Sequence, residues 1–216
     1  MGISQMLMKL AEGMATSCWI FGITLLFSLP LGMVIAFGRM SKKRIVQGIT
    51  KIYISIMRGT PLMLQLMVVY FGPYYLFGIK ISPFYRNIAV VIGFVLNYAA
   101  YFAEIYRSGI ESMPVGQYEA AEILGYSKSQ TFLHIILPQV IKRILQSVTN
   151  EVITLVKDTS LAFVIAVSEM FTIAKALASS QTSMVPYVAA GIFYYVFNFL
   201  VAWIMEKIEK HLSYYR

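Results

Sequence analysis

In the uncharged stretch 87–103 and just past it, three polar side chains fall on one helical face: Asn97, Tyr101 and Glu104, spaced i, i+4, i+7. A carboxylate in such surroundings is costly and turns toward a cavity or a partner instead of hydrocarbon. The pattern suits binding of a polar solute. Glu104 is then either a receptor for an ammonium or cationic side chain, or one half of an ion pair with Arg107 or Lys157. Asn150 and Glu151 are comparable candidates at the start of a later apolar segment. In the next run, Lys157, Asp158, Thr159 and Ser160, the charges neutralise each other or nearby groups, and the hydroxyls return hydrogen bonds to the backbone. That run is expected to be structural or gating. Glu169 is expected near the outer end of its span, solvated and without function.

None of these sets is catalytic. One cysteine, Cys18, excludes an internal disulfide and a thiolate cage, and His134 and His211 are too far apart to suggest a local metal site. There is no Gly-x-x-x-x-Gly-Lys-Ser/Thr phosphate cradle, no Gly-x-Ser-x-Gly and no His-Glu-x-x-His. The chain is expected to be no enzyme and to bind no metal or cofactor of its own. Energy for any transport must come from another chain or from an ion gradient.

The elements that position these residues are membrane helices. Of 216 residues, 58% are hydrophobic and 13% charged, too apolar for an ordinary soluble domain. A spanning helix needs about 20 residues, and five segments are expected to supply one: 14–38, 60–79, 87–110, 145–168 and 184–205, in a single domain over 1–216. The fourth starts among charges and is the least apolar. Residues 1–13 read as a short amphipathic lead-in to a retained first span, not as a cleaved signal peptide.

A net charge of +8 raises nucleic acid as a partner, but its distribution excludes it. Thirteen cations lie in the first and third connections and the C-terminal tail (Arg39 to Arg58, Arg107 to Arg143, Lys207 to Arg216), against Lys9, Lys80, Arg86 and Lys175 on the other side. The positive-inside rule then places the N-terminus outside and the C-terminus in the cytoplasm. The basic stretch 38–61 carries a helical apolar pattern and is expected at the cytoplasmic surface, with Thr60-Pro61 opening the second span.

Between the third and fourth spans lies a polar insert, 115–138, whose core reads EAAEILGYSKSQTFLHIILP. Glu119, Ala120 and Ala121 favour helix, and Gly125 ends it in a left-handed conformation. Ile135 and Leu137 close the run, and Pro138 is expected to stop or turn the chain beyond Leu137.

Glu-Ala-Ala, three residues, Gly, nine residues, Ile-x-Leu-Pro resembles the cytoplasmic coupling motif of permease subunits of bacterial ABC importers. Arg58-Gly59-Thr60-Pro61-Leu62 with Gln65, Asn97 through Arg107, Gly116-Gln117, and Lys157 through Leu161 are similar to segments of histidine/glutamine/arginine/cystine-type amino acid permeases, in that family's order. The resemblance implies an all-α integral membrane fold of five transmembrane helices, with a cytoplasmic coupling helix between spans 3 and 4. It implies ATPase coupling through Glu119, Ala120, Ala121, Gly125, Ile135, Leu137 and Pro138, and gating or structural roles for Arg58, Thr60, Pro61 and the 157–160 run. The implied partners are ATP-binding cassette subunits carrying ATP and Mg2+, a second permease subunit (identical or related), an external substrate-binding protein and an amino acid, in the cytoplasmic membrane of a prokaryote. By resemblance to arginine-type members, Glu151 favours cationic substrates. An ion-gradient-driven secondary transporter is the alternative. A membrane-bound enzyme and a non-transporting scaffold or channel subunit fit less well, the first lacking a catalytic constellation and the second leaving the permease segments unexplained.

Overall fold

The computed structural model describes residues 2–212; Met1 of the expected lead-in and Arg216 of the basic tail lie outside the described residues. The described chain is helical, with no strands: α1 Ile3–Arg39, α2 Arg44–Gly59, α3 Leu62–Phe77, α4 Pro83–Glu111, α5 Val115–Ile123, α6 Lys128–Gln130, α7 Leu137–Asp158, α8 Met170–Gln181 and α9 Val185–His211. A π-helical turn, Thr131–Ile136, joins α6 to α7, and a 3₁₀ run, Thr159–Ile165, comes after α7. Three described helices, α1, α4 and α9, are long and apolar enough to cross a membrane. The number reaches five if each of two bent pairs is one span: α2 with α3, bent by 110°, and Lys128–Ile165 with α8, bent by 60°.

Residues 3–13 are not a separate lead-in. They are the first turns of α1, because Met6 and Leu10 are buried against Met170, Ala174 and Leu177 and nothing interrupts the helix. The buried face of α1 is mostly small, with Gly13, Ser17, Thr24, Ser28, Gly32 and Ala36 recurring at about every fourth position. Small residues at that spacing let membrane helices approach backbone to backbone, where dispersion contacts accumulate. Gly13 and Ser17 meet Met170 at the start of α8; further along, the partner is α4, whose Ala99, Phe102 and Ala103 are fully buried. A Cβ added to Gly32 would lie 2.8 Å from Phe102 Cβ and 3.1 Å from the Ala99 carbonyl oxygen.

Two expectations fail at the fourth span. Pro138 does not stop the chain: Lys128–Ile165 runs as one helix through it. The π turn immediately before it already shifts the hydrogen-bond ladder, with Leu137 N–H donating to Phe132 O, so the missing proline N–H is absorbed there. Gln139 Nε2 donates to the Ile135 carbonyl at 2.7 Å, satisfying that acceptor from a side chain. Glu169, expected to be solvated, is fully buried. It is the N-cap of α8, accepting from Phe171 N–H, Thr172 N–H and the Thr172 hydroxyl at 2.6–2.8 Å, and from the Tyr194 hydroxyl at 3.1 Å. The helix break at Ala166 (φ 57°) leaves the α8 amides without carbonyl partners, and the carboxylate takes their place.

Gly32→Val should therefore pry α1 from α4 and cost about 1–3 kcal/mol. Thermal unfolding in detergent should show a lowered midpoint, while Gly22→Ala, whose Cβ would meet nothing within 4 Å, should leave it unchanged. Equal midpoints for the two variants would contradict the tight α1–α4 seam.

Candidate functional site

The polar face of α4 meets the elbow between α2 and α3. Pro61 is the α3 N-cap residue, at φ −63° and ψ 133°, so the chain leaves α2 extended and re-enters helix at Leu62. Turning through the elbow exposes the last carbonyls of α2, and amides collect them. Asn97 Nδ2, almost fully buried, donates to Met57 O at 3.1 Å and to Gln65 Oε1 at 3.0 Å. Gln65 Nε2 in turn donates to Met57 O, to Thr60 O and to the Thr60 hydroxyl at 2.8–3.1 Å. The Thr60 hydroxyl donates to Ile56 O. Asn97, Gln65 and Thr60 thus staple the elbow to α4.

One turn and two turns further along α4 the charges begin. The Arg58 guanidinium lies 5.3 Å from the centre of the Tyr101 ring and 3.9 Å from Glu104. Glu104 accepts from Arg107 through both oxygens, at 3.1 and 2.7 Å, and Arg39 stands 3.9 Å away. Arg107 also pairs with Glu111. Lys157 takes no part in this cluster; of the two pairings considered for Glu104, the structure forms the one with Arg107. Three guanidiniums around one carboxylate leave no vacant face for a substrate cation there. The net charge of the group is positive.

Across from α4, Asp158 accepts from the Tyr98 hydroxyl at 2.7 Å, and no ion pair joins it to Lys157 among the described residues. Thr159 and Ser160 donate to Val156 O and Lys157 O at 2.8 and 2.7 Å, each turning back on its own helix. Glu151 is half-buried on α7 and feels the charges of Arg58 and Asp158; Asn150 beside it is exposed. Asn97, Tyr101, Glu104, Arg58, Thr60 and Pro61 are thus gathered at one place. Glu151 and Asp158 are close enough to share its field, while Asn150 turns outward. Among the described residues no group of three or more His, Cys, Asp or Glu could hold a metal.

The insert forms a second site, built of two helix ends back to back. Gly125 adopts φ 80°, with Gly125 N–H donating to Glu122 O and Tyr126 N–H to Ala121 O, a Schellman closure of α5. Ser127 then caps α6 in a box with Gln130. Glutamines 117 and 139 exchange two amide hydrogen bonds, at 3.0 and 2.9 Å, tying α5 to α7. Arg143 donates to the Ser112 carbonyl and hydroxyl, tying α7 to the end of α4. Burial against this frame raises the Tyr118 phenol above its usual value. The outer surface is left apolar: Ile123 is 86% exposed, Leu124 74% and Val115 69%. Glu119 and Ala120 are exposed beside it and Ala121 is buried, while Ile135 and Leu137 are half-buried and Pro138 is exposed. Large apolar side chains bared within a polar segment mark a protein contact surface.

Residues 28–214 match the family described as the inner membrane component of binding-protein-dependent transport systems. The chain belongs to this family. The L-cystine transport system permease protein TcyL of Bacillus subtilis is 38% identical over 98% of this chain and 90% of its own. The arginine transport system permease protein ArtQ of the same organism is 36% identical over 94% of this chain and 91% of its own. Among solved structures, an amino acid ABC transporter crystallised with histidines superposes with a TM-score of 0.84 at 28% identity, covering 94% of each chain. The MetNI methionine ABC transporter, at 15% identity and a TM-score of 0.75, shares the fold.

In this inner-membrane component, sequence reasoning passed over several residues that build both sites. Tyr98 carries no signal in an aromatic-rich span, and neither Arg39 nor Gln139 stands out by spacing. Gln65 was named only with the 58–62 segment, and its lone amide in an apolar run was the clue to its role at the elbow. For the arginine cluster, Glu104→Gln should leave three guanidiniums facing one another and cost about 1–2 kcal/mol, discounted for partial exposure. Removing Arg107 as well should restore part of the loss in a double-mutant cycle read by thermal unfolding. Strict additivity would show that Glu104 and Arg107 are not energetically coupled.

Proposed function

We propose that the chain is the transmembrane subunit of an ATP-driven importer that carries a polar amino acid across the cytoplasmic membrane. The observation that carries this is near full-length similarity to curated cystine, glutamine and arginine transport permeases. The apolar outer surface of the insert, outside any apolar span, gives the reading a physical place of attachment. The relatives lend no support to an ion-gradient-driven transporter.

In this reading two ATP-binding subunits, holding ATP and Mg2+, dock on Val115, Ile123, Leu124 and Tyr126, with Glu119 and Glu122 at the rim. A second permease subunit, identical or related, completes the pathway, and a substrate-binding protein delivers the amino acid from outside. The N-terminus lies outside and the C-terminus in the cytoplasm, the orientation that the cation distribution favours. ATP-driven closure moves the insert and, through Lys128–Ile165, the spans. The transport site must bind the amino acid differently in the two states, since a ligand of equal affinity shifts nothing. We assign solute contact to Tyr101 and Glu151, and to Asn150 from the outward face that a second permease subunit would close over. Asn97 and Glu104 act through the elbow and the arginines they hold, with Arg58, Thr60 and Pro61 gating. The unpaired Glu151 favours substrates with a cationic group.

Two measurements test this. A mild-detergent pull-down should retain a stoichiometric ATP-binding subunit and ATPase activity; a stable complex without ATPase would overturn the reading. Gly125→Pro cannot reach φ 80° and loses the bond to Glu122 O. Uptake should fall at least about tenfold, a loss on the order of 1.4 kcal/mol of coupling or more, while membrane insertion is kept. Normal uptake by that variant would remove the insert from the mechanism.

A further inference from the structure

We propose that α2 is an interfacial helix that binds the anionic headgroups of the cytoplasmic leaflet. The inference rests on the membrane orientation given above. From Gly13 to Ala103 the chain has no acidic residue. Within that stretch Arg39 and Arg58 are engaged by Glu104, but Lys42, Lys43, Arg44 and Lys51 are exposed and meet no carboxylate within ion-pair distance among the described residues. Four cations concentrated at and around one helix, with nothing in the fold to neutralise them, call for negative charge from elsewhere.

The geometry of α2 says where that charge lies. At 100° per residue, Ile45, Ile49, Ile52 and Ile56 fall within an arc of about 60°. All four are more than half exposed, from 52% for Ile56 to 78% for Ile45. Roughly 120° to one side lie Thr50, Tyr53, Ile54 and Met57, the face that packs on the protein; Ile54 is the buried residue of the helix. Tyr53 donates its hydroxyl to Leu96 O from that face. Roughly 120° to the other side lie Arg44, Lys51 and Ser55. Protein, hydrocarbon and charged sectors therefore divide the helix in three. A spanning helix has no use for the charged sector, and a helix in solution has none for the isoleucine stripe. A helix lying flat in the headgroup layer uses all three.

The 110° bend to α3 supplies the required attitude, because it turns α2 nearly perpendicular to its neighbour in the same bent pair. Basic residues beside such a helix draw in acidic phospholipid, and salt weakens the attraction. The occupant is thus a bilayer rich in anionic lipid. Through Met57, Arg58 and Thr60 the bound helix is stapled to Asn97 and set against Tyr101 and Glu104, so headgroup charge bears on the elbow.

The test places a bimane on Ile49→Cys in a Cys18→Ser background. The labelled chain, with its co-purifying subunits, goes into nanodiscs of phosphatidylcholine with increasing phosphatidylglycerol, and quenching by a shallow spin-labelled lipid is read. Quenching should rise with phosphatidylglycerol and fall with salt. In K42Q/K43Q/R44Q/K51Q the phosphatidylglycerol needed for half-maximal quenching should increase severalfold. Quenching independent of headgroup charge would overturn the proposal. So would its absence in every lipid, which would mean that protein covers the stripe. The readout needs neither ATP nor uptake, so a failure of the importer reading appears separately, in the pull-down.

Discussion

Close approach of α1 and α4 is the constraint on which the rest depends. In hydrocarbon there is no hydrophobic force between helices, so contact area at short range must hold them. The small residues of α1 permit it, and Gly32 set against Ala99 and Phe102 marks the tightest fit. That seam places Arg39 beside Glu104 and fixes the α4 face on which Asn97 and Tyr101 stand. The same seam presents α4 to the elbow from α2 to α3. Without it the amide staple at Asn97 and Gln65 has no fixed partner, and the three arginines have no common centre.

The polar groups then divide into two kinds. Asn97, Gln65, Thr60 and Glu169 satisfy backbone groups that breaks in the helices leave open. They meet donors and acceptors that would cost free energy if left unpaired where water cannot reach them. Glu104, Arg107, Arg58 and Arg39 instead collect charge at the ends of three helices, with a positive excess. Glu151 has no such collar of arginines among the described residues.

The elements most legible from sequence were those governed by local chemistry. Gly125 after a helix-forming run could only be a left-handed terminus, and the Asn97, Tyr101, Glu104 face came from helical periodicity. What stayed hidden depended on distant partners or on context that overrides a local rule. Glu169 reads as a surface carboxylate because Tyr194, which helps bury it, is 25 residues away. Pro138 reads as a stop because nothing in TFLHII announces a π turn. The first thirteen residues read as a separate element because their partners, Met170 and Leu177, come from the other end of the chain.

The passage of Lys128–Ile165 through Pro138 has a mechanical consequence. A helix of that length, about 55 Å at helical rise, joins the insert to the core, with the π turn before Pro138 and the 3₁₀ run Thr159–Ile165 as its two changes of winding. Tilting it by about five degrees about its middle displaces each tip by roughly 2 Å, in opposite senses. A continuous helix of this kind would carry a displacement by its geometry, without a relay of side-chain rearrangements. Its far end is the left-handed Ala166, after which the chain turns by 60° into α8.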